Sequence, residues 1–359
     1  MIPRRAFLAA MAASALTPRL SWADAGSPAF LAFAKEPDGQ HALFGIDVMG
    51  HDVFRVPMPG RGHAGAAHPV APEAVGFARR PGTFARVIDC ANGRVLTELH
   101  SPEGRHFMGH GSFLQGGDIL ATLENDYIST RGKIGLWSRS QGYKRVGEIE
   151  THGVGPHEAL QMADGTLVVA NGGIQTDPRV EDGRGKLNLP TMQPSLAYIT
   201  PEGELLEQVF LDPDLHLNSI RHLAMTGDGL VGFAMQWQGD TMDGVPLLGL
   251  HRRGWAEAKL AEAPLGEQLA MNGYAGSVAL SGDGRYFGIT SPRGGRLHIF
   301  DHGANFVAVH RRPDICGLAA GPEGFLATDG LGGVWHATAE EFQPFTRAER
   351  AWDNHVVTL

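Results

Sequence analysis

Between Thr151 and Ile174 the chain alternates short apolar runs with turn signals. Ala159 to Met162 is largely apolar, Asp164-Gly165 is a turn dipeptide, and Leu167 to Ala170 is apolar again before a polar loop opens at Asn171. Two such runs around an Asp-Gly turn predict a β-hairpin. The unit recurs as HGSFLQGGDILATLEN from His110, RHLAMTGDGLVGFAMQ from Arg221, GSVALSGDGRYFGITSP from Gly276 and CGLAAGPEGFLATDG from Cys316. A looser copy starts at His63, and a single strand starts at His355. Most copies lie about 40 to 55 residues apart, the spacing of propeller blades.

Each hairpin is followed by a second, more solvated one, as in KIGLWSRSQGYKRVGEI, SLAYITPEGELLEQVFL, RLHIFDHGANFVAVH and GVWHATAEEFQPFTR. Strands that grade from apolar to polar suit stacked blades, whose inner strands are buried on both faces. The segment AFLAFAKEPDGQHALFGIDVMGHDVFRVPM supplies three strands with no inner strand before them, while the terminal HVVTL is an inner strand with nothing after it. Joined, they complete one blade and remove two exposed edges. The expectation is an all-β, seven-bladed propeller of four-stranded antiparallel blades, forming one domain over residues 28–359. Beyond the first twenty-five residues no stretch sustains a helical apolar period.

Residues 1–25, MIPRRAFLAAMAASALTPRLSWADA, read as a twin-arginine signal peptide: Arg4-Arg5, a modest alanine-rich apolar run, and a small-x-small site ending at Ala25. The implied location is the periplasm. Composition agrees with a turn-dense β fold, since Gly is 49 of 359 residues, about twice the usual share. A net charge of −9 with only short, dispersed arginine pairs argues against nucleic acid as a partner. The two cysteines, Cys90 and Cys316, fall on distant blades and are expected to stay unbridged. The long insertion at 174–194 follows a second strand, so it belongs on the face where the inner strands begin.

In a propeller the first residues of the inner strands form a ring at one mouth of the axial channel. Here that ring reads His63, His110, His157, His222, Ser277, Cys316 and His355. Imidazole and thiolate ligate iron, copper and zinc, so the histidines with Cys316 are the candidate metal ligands. The ends of the second strands and their loops bring Arg80, Glu124, Asn125, Asn171, Gln236, Arg293 and Asp329 towards the same mouth, and Glu158 adjoins His157. Alternation along a strand would point His157 and Glu158 to opposite faces, which argues against the two acting as an acid–base pair. No nucleophile elbow, zinc-protease helix motif or phosphate loop is present.

The paired arginines together with GHGSFLQGGDILATLENDY, THGVGPHEALQMADGTLVVANGGI, KLNLPTMQPSLAYI, SIRHLAM and SPRGGRLHIFD resemble the bacterial periplasmic family known as domain of unknown function 1513. The resemblance implies a seven-bladed propeller and a gene neighbourhood of iron-uptake proteins, with imelysin-like and di-haem cytochrome-like proteins as partners. It transfers no catalytic residue. Three readings follow: a periplasmic propeller that binds iron or copper at its histidine-lined mouth, with zinc also open; a non-catalytic scaffold of the same system; and a metal-dependent hydrolase or lactonase-like propeller. The first is the expectation carried forward, a binding or accessory protein rather than an enzyme.

Overall fold

The computed structural model describes residues 20–79, 84–183 and 185–359. The twin-arginine segment up to residue 19, and Arg80, lie outside the described residues. Among the described residues, twenty-eight strands, β1 to β28 in chain order, form seven four-stranded sheets. Six sheets use four consecutive strands each. The seventh pairs β28 (Ala351–Thr358) with β1 (Phe30–Lys35), followed by β2 (His41–Ile46) and β3 (Asp52–Met58). The C-terminal strand therefore supplies the inner position of a blade whose other three strands come from the N-terminal side. It starts at Ala351, earlier than its HVVTL core suggested, because Trp352 packs edge-on against Phe44 at 5.6 Å and is buried.

The burial gradient follows the predicted order. The second strand Glu73–Ala78 is buried along almost its whole length, while the outer strand of the same blade, Arg94–His100, is mostly exposed. Apolar clusters lie between neighbouring blades rather than within one. Tyr198, Leu196 and Val168 of one sheet pack on Ile220, Val231 and Phe233 of the next. Fully burying each such aromatic or branched side chain contributes about 1.5–3 kcal/mol, so each blade is stabilised by both of its neighbours. Among the described residues the one α-helix is Leu265–Ala270, and no helix is long and apolar enough to cross a membrane.

The inner strands are β28, β4 (Gly62–Ala67), β8 (Arg105–Leu114), β12 (Pro156–Gln161), β16 (Asn218–Met225), β20 (Ser277–Leu280) and β24 (Ile315–Gly321). Six of them break register against their second strand. The breaks fall between Gly62 and Gly65, Phe107 and Gly111, Pro156 and Glu158, Ile220 and His222, and Ile315 and Leu318, and opposite Ala32 and Ala34 in β28. Only β20 pairs regularly, Ser277 facing Thr290. A bulge bends the strand and re-aims a side chain off the pleat. These six lie at or beside the histidine and cysteine positions of the predicted ring.

Candidate metal centre

The five ring histidines converge at the axis. Ring centroids of successive members lie 4.8 Å apart for His63 and His110, 4.6 Å for His110 and His157, 4.7 Å for His157 and His222, 4.5 Å for His222 and His355, and 4.9 Å for His355 and His63. His110 also lies 5.2 Å from His222 and 4.9 Å from His355, so it touches every other member. Candidate ligand atoms within 4.8 Å of one another define two triads, His63–His110–His157 and His110–His222–His355, which share His110. Gly109 makes the approach feasible. It adopts φ +89°, and a Cβ there would sit 2.4 Å from His63 Cδ2, so a larger residue would displace the His63 ring.

The cluster is largely buried and short of hydrogen-bond partners. His110, His157, His222 and His355 are all buried, and His63 is half-buried. His110 Nε2, His222 Nδ1 and His355 Nε2 have no hydrogen-bond partner among the described residues. Leaving a buried donor or acceptor unsatisfied costs about 1–3 kcal/mol each, and here the three histidines that carry such nitrogens form one triad. Burial, reinforced by the Arg221 charge, holds His222 down to about 3. Burial and neighbouring ring charges hold His110 and His355 well below the ordinary histidine range. The rings are neutral near pH 7, the form that coordinates a metal.

Two cavities flank the cluster, and only the first is lined by its histidines. On the side where the inner strands begin, a funnel of 190 Å³ is lined by His63, His157 and His222 with Arg79, Arg221, Gln236, Tyr274 and Asn354. On the other side a channel of 680 Å³ is lined by small apolar residues that follow the ring positions, such as Gly65, Ala66, Ala159 and Ala279, together with Glu158. Glu158 Oε2 accepts the Leu223 N–H at 2.9 Å and lies 3.5 Å from His222 Nδ1. Burial raises its carboxyl to about 7. Glu158 thus associates with the histidine of the next blade rather than with His157, its neighbour in the chain.

The sequence matches the profile of the family described as Protein of unknown function (DUF1513) over residues 56–359. The chain belongs to this family. No curated protein matches it significantly. Among solved structures, Kuenenia stuttgartiensis hydrazine synthase is similar, with a TM-score of 0.59 at 14% identity over 89% of this chain and 96% of that one. At that identity the likeness concerns the fold alone.

In this DUF1513 propeller the other expected residues divide sharply. Cys316 and Ser277 belong to neither triad. The Cys316 thiol lies 3.4 Å from the Asp353 carbonyl, 3.5 Å from that of Thr328 and 3.6 Å from that of Trp352, and burial pushes it up to about 12. It is a satisfied core thiol, and with Cys90, also buried and free, it forms no disulfide. Glu124 is fully buried inside its blade, receiving Arg145 Nη1 at 2.6 Å and the Thr122 hydroxyl at 3.0 Å. Asp329 accepts Arg312 Nε at 2.6 Å, Trp335 Nε1 at 2.7 Å and the Gly333 N–H at 2.8 Å. Asn125 donates to the Thr176 carbonyl and Asn171 to that of Thr151, each at 2.9 Å. These four tie strand ends and loops together and do not line the funnel. Gln236 does line it, and Arg293 flanks it by stacking 4.2 Å over the Tyr274 ring. Arg221, Tyr274 and Asn354 are lining residues that sequence reasoning did not single out; the signal for two of them is adjacency to a ring histidine, Arg221-His222 and Asn354-His355.

Proposed function

We propose that this propeller holds a transition-metal ion on its histidine cluster, as an exported accessory of iron handling. The observation that carries the reading is that His110, His222 and His355 form one triad and each holds a buried imidazole nitrogen without a hydrogen bond, that of His222 having only the Glu158 carboxyl 3.5 Å away. An apolar core gains nothing from such groups, whereas a metal satisfies all three. The donor set also discriminates between metals. With the Cys316 thiol turned to backbone carbonyls, the soft ligand that a cysteine-type copper site uses is missing. Histidines with the nearby Glu158 carboxylate form a nitrogen and oxygen set that suits iron. The paired arginines near the N-terminus support export, and the family resemblance supports the iron context and its periplasmic partners.

Elemental analysis of the full chain, exported natively and purified without chelators or a histidine tag, tests the reading. About one iron per chain is expected, with loss in His110→Ala, because His110 serves both triads. Metal-free protein that also takes up no iron or copper on titration would overturn it and leave the scaffold reading.

A further inference from the structure

The funnel above the cluster has a chemistry of its own. The protein as a whole carries a net charge of −9, yet no carboxylate is among the described residues lining this cavity, while Arg79 and Arg221 both are. Arg221 is only 9% exposed and directs Nη1 to His157 Nδ1 at 3.4 Å. Two further cations flank the site. The Arg293 guanidinium lies 4.2 Å over the Tyr274 ring, whose hydroxyl receives Asn354 Nδ2 at 3.4 Å. Lys186 reaches the same region from the 174–194 insertion. It shares a small cavity with Arg221, and burial followed by the charges of Arg221 and Arg293 lowers its ammonium below the usual lysine range. Arg221 is buried and Arg79 half-buried, whereas Arg293 and Lys186 are exposed, and the Asp353 carboxyl that interacts with Arg79 does not line the cavity; an anion entering the funnel would therefore meet mainly positive charge. Guanidinium forks offer paired N–H donors that match the oxygens of a carboxylate or phosphate.

We propose that the funnel is a binding site for a small, doubly charged oxyanion, a dicarboxylate or a phosphate, held by Arg79 and Arg221 with the Tyr274 hydroxyl. The cavity of 190 Å³ accommodates an ion of a few heavy atoms and is too small for a nucleotide. The site rests on the funnel's own side chains and does not require a metal on the histidines.

Calorimetric titration of the full chain, stripped of metal by a chelator and dialysed, decides the matter with sodium oxalate and inorganic phosphate as separate probes. At least one probe is expected to bind one per chain, at least tenfold more weakly in Arg79→Gln, and more weakly as salt is raised. The tighter probe identifies the oxyanion as carboxylate or phosphate. Arg79 is half-buried whereas Arg221 is buried, and the melting temperature of each variant is measured alongside, so that a loss of binding is told from a loss of packing. Failure of both probes to bind, or wild-type affinity in both Arg79→Gln and Arg221→Gln, would overturn the proposal. Metal-free protein that binds oxalate but never takes up iron would sink the metal reading and leave this one standing. A metal-loaded protein indifferent to both anions would do the reverse.

Discussion

Glu158 and His222 face each other with opposite responses to burial. The Glu158 carboxyl is raised from 4.5 to about 7, and the His222 imidazole is lowered from 6.5 to about 3. For Glu158 the folded value lies above the unfolded one, so its contribution to stability is full below about 4.5 and is lost as pH rises through about 7. For His222 the folded value lies below, so its contribution is full above about 6.5 and is lost as pH falls towards 3. Replacing Glu158 by Gln should therefore stabilise the metal-free protein at pH 8 by about 1–2 kcal/mol and leave it unchanged at pH 4. Thermal unfolding at the two pH values checks this, and an equal shift at both would refute it. The ring histidines were legible because a repeated position carried a repeated residue. Arg221 and the true neighbour of Glu158 were not, because strict alternation places adjacent side chains on opposite faces. Nothing in Ile220-Arg221-His222 announces that the strand departs from alternation there.

At the scale of the strand, a bulge accompanies every histidine that reaches the axis, and the other two blades carry serine and cysteine at the equivalent position. The regular β20 leaves Ser277 in the wall. In β24 the bulge is present, but it turns the short Cys316 side chain towards carbonyls of Thr328 and the adjoining C-terminal strand. In β8 three residues, Met108 to His110, oppose one, and Gly109 occupies the middle with a left-handed backbone against the His63 ring. Gly109→Ala should cost about 1–2 kcal/mol in backbone strain alone and displace His63, lowering metal retention while the far-ultraviolet signature of the sheets persists. Unaltered metal content at reduced stability would show that the His63 triad is dispensable. The hairpins and the blade gradient could be read from the chain because apolar runs and Asp-Gly turns are local signals. The bulges could not, since a register break depends on which residues of the partner strand find each other.

For the whole molecule, ring closure follows from chain ends that pair. β28 lies between β1 on one side and the axis on the other, with Trp352 packed on Phe44 and the Leu359 N–H bonded to the Ala29 carbonyl at 3.0 Å. Removing residues 351–359 should open a full-length sheet edge and convert a single cooperative thermal transition into a broad, aggregation-prone one. A truncated chain that melts sharply near the full-length temperature would show that the remaining six blades stand alone. The closure could be inferred from the sequence, because each terminus held part of a blade and the two parts were complementary.

His355 lies on that closing strand, and it is a member of the His110–His222–His355 triad. The strand that latches the ring thus also completes the histidine triad. A clipped or unclosed molecule lacks the complete triad, so under the proposed metal reading occupancy would report a finished ring.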